Sequence, residues 1–168
     1  MDYEDEMYQA LSKAETGGEK NPYIRTKVKP KGGSTAFGKV QMTKTLIDDY
    51  DTRKKLSKES SEFYKTKMKP MYDNFIKHGN NKGKIKDYDA DYDYGGTGKF
   101  DIKDEESYKN LAKEILKDNA ISNKNDDEKV IKAWRGKSRK DDPKYYEKVE
   151  SELKNIRLEK ELTRQLGN

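Results

Sequence analysis

Asp2-Tyr3-Glu4-Asp5-Glu6-Met7-Tyr8-Gln9-Ala10-Leu11-Ser12-Lys13-Ala14-Glu15-Thr16-Gly17-Gly18 stands near the start of the chain, and in it Tyr3, Met7, Ala10, Leu11 and Ala14 recur at helical spacing. At about 100° per residue, these positions fall on one face of an α-helix. Asp2 suits the N-cap, where a short side-chain oxygen accepts an otherwise unpaired backbone N–H. Gly17-Gly18 stops the helix and leaves Glu15 in its last turn.

The same reading extends along the chain. Residues 19–34 read as a loop, because Pro22, Pro30 and Gly32-Gly33 break any period, and Ser34 can cap the next helix. That second helix is expected from Thr35 to Tyr50, burying Ala36, Val40, Ile47 and Tyr50. Over residues 53–78, Leu56, Phe63, Tyr64 and Met68 precede Met71, Tyr72, Phe75 and Ile76. Pro70 between the groups implies two helices or one kinked helix. Residues 79–100 are rich in glycine and aspartate and read as a long loop with room for a small hairpin.

Asp104 can cap a helix whose buried face is Tyr108, Leu111, Ala112, Ile115 and Leu116. Another starts near Asp126, carries Val130, Ile131 and Trp134, and ends at Gly136. The last begins at Asp142-Pro143 with Tyr146, Val149, Leu153 and Ile156 on one face. Leu158, Leu162 and Leu166 make a second stripe, since Leu158 lies roughly opposite Val149 at about 100° per residue. One stripe is expected to pack on the domain and the other to meet a partner or to belong to a frayed tail. No repeat of solenoid period is present. The expected architecture is mostly α, a helical domain over 1–150 with long loops and a helical extension over 151–168.

The chain has 168 residues, 41% of them charged and 30% hydrophobic. That balance leans towards disorder, and the helical periodicity above answers it. Its 37 basic and 32 acidic residues leave a net charge of +5. The charges are interspersed, which argues against a specific nucleic-acid footprint and suits either a mixed soluble surface or an anionic polymer. With no cysteine, disulfides, thiol catalysis and cysteine-held metals are excluded. No apolar run approaches the roughly 20 residues of a membrane span. The acidic Met1-Asp2-Tyr3-Glu4-Asp5-Glu6 start is unlike a secretory signal.

Glu15 is the residue with chemical promise. A carboxylate at a helix C-terminus sits by the negative end of the dipole, and a covering loop would also desolvate it; both effects raise its pKa. A raised pKa suits a general acid near neutral pH. Downstream, Ser34-Thr35-Ala36-Phe37-Gly38-Lys39-Val40-Gln41 comes after the loop. Gly38 leaves space for a close approach, and Gln41 offers a donor and an acceptor. Taken alone, a helix ending Glu-Thr-Gly-Gly is more often an ordinary C-cap.

Ala14-Glu15-Thr16-Gly17-Gly18 followed by Ser34-Thr35-Ala36-Phe37-Gly38-Lys39-Val40-Gln41 resembles the paired motifs of the lysozyme-like lytic transglycosylases and phage muramidases. The familiar forms are Glu-Ser-Gly-Gly, then Ser-Thr-Ala-x-Gly-x-x-Gln in lambda-type endolysins. Phe100-Asp101 and the helix after it look like the middle helix of these enzymes. Ala133-Trp134-Arg135-Gly136 stands where soluble transglycosylases have Ala-Tyr-Asn-Ala-Gly. Tyr145-Tyr146-Glu147-Lys148-Val149 is similar to their final Tyr-Val-x-Lys-Val segment, so the likeness spans most of residues 7–150. Thr16 departs mildly from serine, Arg135 replaces an asparagine that contacts sugar, and residues 51–100 match neither branch.

The resemblance implies a lysozyme-like fold and cleavage of the bond between N-acetylmuramic acid and N-acetylglucosamine in peptidoglycan glycan strands. Glu15 would protonate the glycosidic oxygen and then accept a proton from the muramic acid 6-hydroxyl, closing a 1,6-anhydro ring. Ser34, Gln41, Trp134 and Tyr145 would position substrate or support Glu15, with no cofactor and no metal. The phage-like second motif implies a virion-associated enzyme acting in the host periplasm or cell wall during genome entry, with other virion proteins as partners of the C-terminal helix.

Other readings stand beside this one. Asp91 or Asp93 would serve a hydrolytic muramidase as a second carboxylate, and a free endolysin or a non-catalytic virion protein is a further alternative. Asp87, Asp89, Asp91 and Asp93 resemble a calcium loop but lack its glycine and closing glutamate. Gly95-Gly96-Thr97-Gly98-Lys99 lacks P-loop spacing. His78 suits a helix C-terminus, and Trp134 suits core packing as well as a sugar.

Overall fold

The computed structural model describes residues 1–16, 23, 35–79 and 100–167, and their architecture is mostly α-helical. The hairpin expected within residues 79–100 and the Gly17-Gly18 helix stop lie outside the described residues. The chain divides into two units, Met1–Glu19 with Ala112–Asn168, and Lys20–Leu111.

The first unit joins both ends of the chain. Helix α1 (Tyr3–Thr16) packs on the last helix, α7 (Pro143–Leu166), which runs unbroken through residue 150. Met7, Ala10, Leu11 and Ala14 are buried on α1, as its period requires. Val149, Leu153 and Ile156 are buried on α7, whereas Leu158, Leu162 and Leu166 are exposed. Helix α6 (Asp127–Arg135) starts where the Asp126 side chain accepts the Lys129 N–H at 3.1 Å. It ends at Gly136, whose φ of 75° forms the left-handed C-cap.

An ion-pair network fastens these helices. Arg157 donates to Glu6 at 3.1 Å and to both Asp127 carboxylate oxygens at 2.8 and 3.1 Å. Lys160 meets the other Glu6 oxygen at 3.0 Å, and Tyr3 donates to Asp127 at 2.7 Å. Burial acts most strongly on Asp127 and would raise its pKa, but the Arg157 and Tyr3 hydrogen bonds outweigh it and hold the carboxyl below its ordinary value.

In the second unit, residues 35–43 are not helical, so the helix expected from Thr35 is corrected. Phe37 and Met42 exchange backbone hydrogen bonds of 3.1 Å around a turn in which Gly38 has φ 84° and Gln41 φ 52°. The cause lies far along the chain. The Tyr108 hydroxyl donates to the Phe37 carbonyl at 2.7 Å and accepts the Val40 N–H at 3.2 Å. Tyr72 donates to the Met42 carbonyl at 2.6 Å. Helix α2 (Lys44–Thr52) starts only after Thr43 caps it by accepting the Leu46 N–H at 3.2 Å. Of the apolar positions proposed for the longer helix, Val40, Ile47 and Tyr50 are buried and Ala36 is half-buried.

Helix α3 (Lys58–Phe63) continues through a π-helical stretch, Tyr64–Met68, into α4 (Lys69–Gly79). Pro70 therefore interrupts one helical run and does not divide two separated helices. Proline has no N–H and its ring crowds the carbonyl four residues back. The wider π turn, closed by the Lys69 N–H on the Tyr64 carbonyl, precedes it.

Helix α5 (Ile102–Ser122) begins earlier than expected, capped by Asp101 and not by Asp104. Asp101 accepts the Asp104 N–H at 2.9 Å, and Asp104 accepts the Asp101 N–H at 3.0 Å, a reciprocal capping box.

Candidate active site

Glu15 occupies the last turn of α1, where the four terminal carbonyls lack intrahelical partners and the dipole is negative. Its side chain is 12% exposed. Burial is the largest influence on it and raises its pKa above the ordinary glutamate value; Tyr145, Arg135 and Lys148 oppose the rise, while Asp142 adds to it. The result is a carboxyl group that retains its proton to higher pH than a solvated glutamate.

Three residues from the α6–α7 region shape this surrounding. Arg135, the final residue of α6, brings its guanidinium Nη1 to 3.9 Å from Glu15 Oε1. Its Nε donates to Asp142 at 2.9 Å, and its guanidinium carbon lies 4.4 Å from the centre of the Tyr145 ring. Asp142 precedes α7 but does not cap it with its side chain, which is directed to Arg135 instead.

Tyr145 is 8% exposed, and among the described residues its hydroxyl has no partner in ordinary hydrogen-bond geometry. Burial first, and the Glu15 charge second, push its pKa upward, so the hydroxyl stays protonated. Glu15 is the group that its hydroxyl interacts with most directly, and that interaction opposes the rise in the Glu15 pKa.

Of the residues singled out in the sequence, the first unit brings Glu15 and Tyr145 together. Trp134 is buried on α6, 8% exposed, on the apolar face with Val130 and Ile131. Ser34 lies outside the described residues. Gln41 belongs to the second unit, where its amide nitrogen donates to the Gly38 carbonyl at 2.8 Å and so braces its own turn. The space left by Gly38 is filled by Tyr108, since a Cβ there would stand 2.4 Å from the tyrosine ring.

Sequence reasoning missed Arg135, Asp142 and Lys148 as members of the Glu15 environment. Arg135 entered it only as a departure from an expected asparagine, and Asp142 only as a helix cap. No local spacing links either to Glu15, and Asp142 before Pro143 is a common helix start. Comparison with family models, with curated proteins and with solved structures returned no match.

Proposed function

We propose that the chain is a peptidoglycan-cleaving enzyme of lysozyme-like type, a lytic transglycosylase in which Glu15 is general acid and then general base. The observation that carries the reading is the state of Glu15. It is a largely buried carboxyl at a helix end, with its pKa raised chiefly by burial, and it lies within the Ala14-to-Gly18 motif that resembles the catalytic motif of these enzymes.

In this mechanism the protonated carboxyl gives its proton to the glycosidic oxygen as the bond to the muramic acid anomeric carbon breaks. The resulting carboxylate takes the proton of the 6-hydroxyl, whose oxygen bonds to that carbon. A single carboxyl group serves both steps, which suits a site with one acid and no second carboxylate assigned to catalysis. The Tyr145 hydroxyl, buried beside Glu15, is placed to donate to the carboxylate formed.

The biological setting rests on the same likeness: a virion-associated enzyme opening the host wall during genome entry. Mass spectrometry of purified peptidoglycan digested by the protein tests the reading. New ends are expected as 1,6-anhydro-muramic acid, which borohydride does not reduce. Ends that are all reducible would make the protein a muramidase hydrolase, and an undigested wall would make it a non-catalytic protein.

A further inference from the structure

Three different groups of the first unit surround Arg135, and one of them is Glu15. Asp142 accepts from its Nε at 2.9 Å, the Tyr145 ring lies under its guanidinium at 4.4 Å, and Nη1 faces Glu15 at 3.9 Å. Stacking and ion pairing leave a planar guanidinium little freedom, and a lysine ammonium cannot reproduce both. Nη1 lies 3.9 Å from Glu15 Oε1, an ion pair that places the guanidinium charge beside the carboxyl group.

We infer that Arg135 is a positioning residue for Glu15, a fixed cation that stabilises the carboxylate left when the Glu15 proton is transferred. The inference rests on the proposed role of Glu15. When Glu15 gives its proton to the leaving glycosidic oxygen, the new negative charge forms beside the cation already in place. The return step, proton transfer from the 6-hydroxyl to Glu15, restores the neutral acid.

The groups acting on Glu15 are Arg135 from α6 and Asp142, Tyr145 and Lys148 from the start of α7. Arg135 is a cation anchored by two of the others, Asp142 and Tyr145. Its loss therefore changes the acid in a defined direction: the neutral form gains, and the titration midpoint of Glu15 moves up. Arg135→Lys keeps the charge and loses the stack, so it falls between.

The test is an NMR titration of the Glu15 side-chain carboxyl carbon in the full-length protein, in Arg135→Gln and in Arg135→Lys, combined with the pH profile of peptidoglycan cleavage. Amide spectra first establish that each variant is folded. The midpoint is expected to rise in Arg135→Gln and to return towards the original value in Arg135→Lys. The alkaline limb of activity should shift in the same direction, with kcat reduced roughly tenfold or more in Arg135→Gln. A Glu15 midpoint unmoved in a folded Arg135→Gln protein would overturn the inference and leave the glycan-cleaving reading standing. A midpoint that rises in a protein unable to cut peptidoglycan would support the pairing while overturning the proposed function.

Discussion

Glu6 and Glu15 are both largely buried on α1, yet their surroundings give them different chemistry. Glu6 is held by Arg157 at 3.1 Å and Lys160 at 3.0 Å, a paired arrangement suited to fastening helices. Glu15 has Arg135 at 3.9 Å, and that cation is shared with Asp142. Burial consequently dominates at Glu15 and raises its pKa. The folded protein binds this proton above the pH at which the unfolded chain releases it, so stability falls as pH rises from the ordinary glutamate pKa through the raised one. Glu15→Gln removes that loss. Thermal unfolding across a pH series should show the variant more stable than the parent at neutral pH, with the gain vanishing below the ordinary carboxylate range.

Two glycines supply a sharper contrast. Gly38 and Gly136 both have positive φ, but a Cβ at Gly38 would strike the Tyr108 ring at 2.4 Å, whereas one at Gly136 meets nothing within 4 Å. Gly136→Ala should cost about 1 kcal/mol, for backbone strain alone. Gly38→Ala should cost roughly 3 kcal/mol or more, because overpacking adds to the strain. Equilibrium denaturation of the pair measures the difference, and equal losses would show that Tyr108 yields freely.

At the scale of elements, legibility depended on whether local signals acted alone. Clean apolar periodicity carries α1 and α7, whose Met7 and Leu11, and Val149 and Leu153, are buried, and α6 adds strong end signals at Asp126 and Gly136. The expected start at Thr35 failed although Val40, Ile47 and Tyr50 do become buried. Hydroxyls of Tyr72 and Tyr108, distant in sequence, hold residues 37–42 in a turn that no helical period announces. At α5 the cap was placed one turn late because Asp101 and Asp104 are both competent caps, and in the fold they bond to one another. Tyr108→Phe removes two hydrogen bonds to that turn and leaves the Val40 N–H without this acceptor. It should destabilise the protein by about 1–3 kcal/mol in denaturant titration.

For the molecule as a whole, the first unit requires both chain ends, and this explains what the sequence concealed at the candidate site. Glu15 was legible from its motif and its place before Gly17-Gly18, and Tyr145 from the resemblance. Arg135 and Asp142 enter through packing of α1 with the α6–α7 segment, over separations that spacing rules do not cover. The Arg157 network secures the same unit. Asp127 has a lowered pKa, so its stabilising contribution is present above the ordinary aspartate pKa and is lost as pH falls through the folded value. Arg157→Met should cost roughly 2–3 kcal/mol at neutral pH by leaving Glu6 and Asp127 less well neutralised. Its effect should shrink in acid, and an equal loss at every pH would indicate packing alone.

The central claim is that Glu15 transfers the proton in cleavage of the wall polymer. Its most direct test is the rate at which purified peptidoglycan releases soluble muropeptides, measured for the full-length protein and for Glu15→Gln with folding verified by circular dichroism. Release by the parent is expected, with a fall of about a thousandfold or more in the variant. A folded Glu15→Gln protein that releases fragments at the parent's rate would contradict the account.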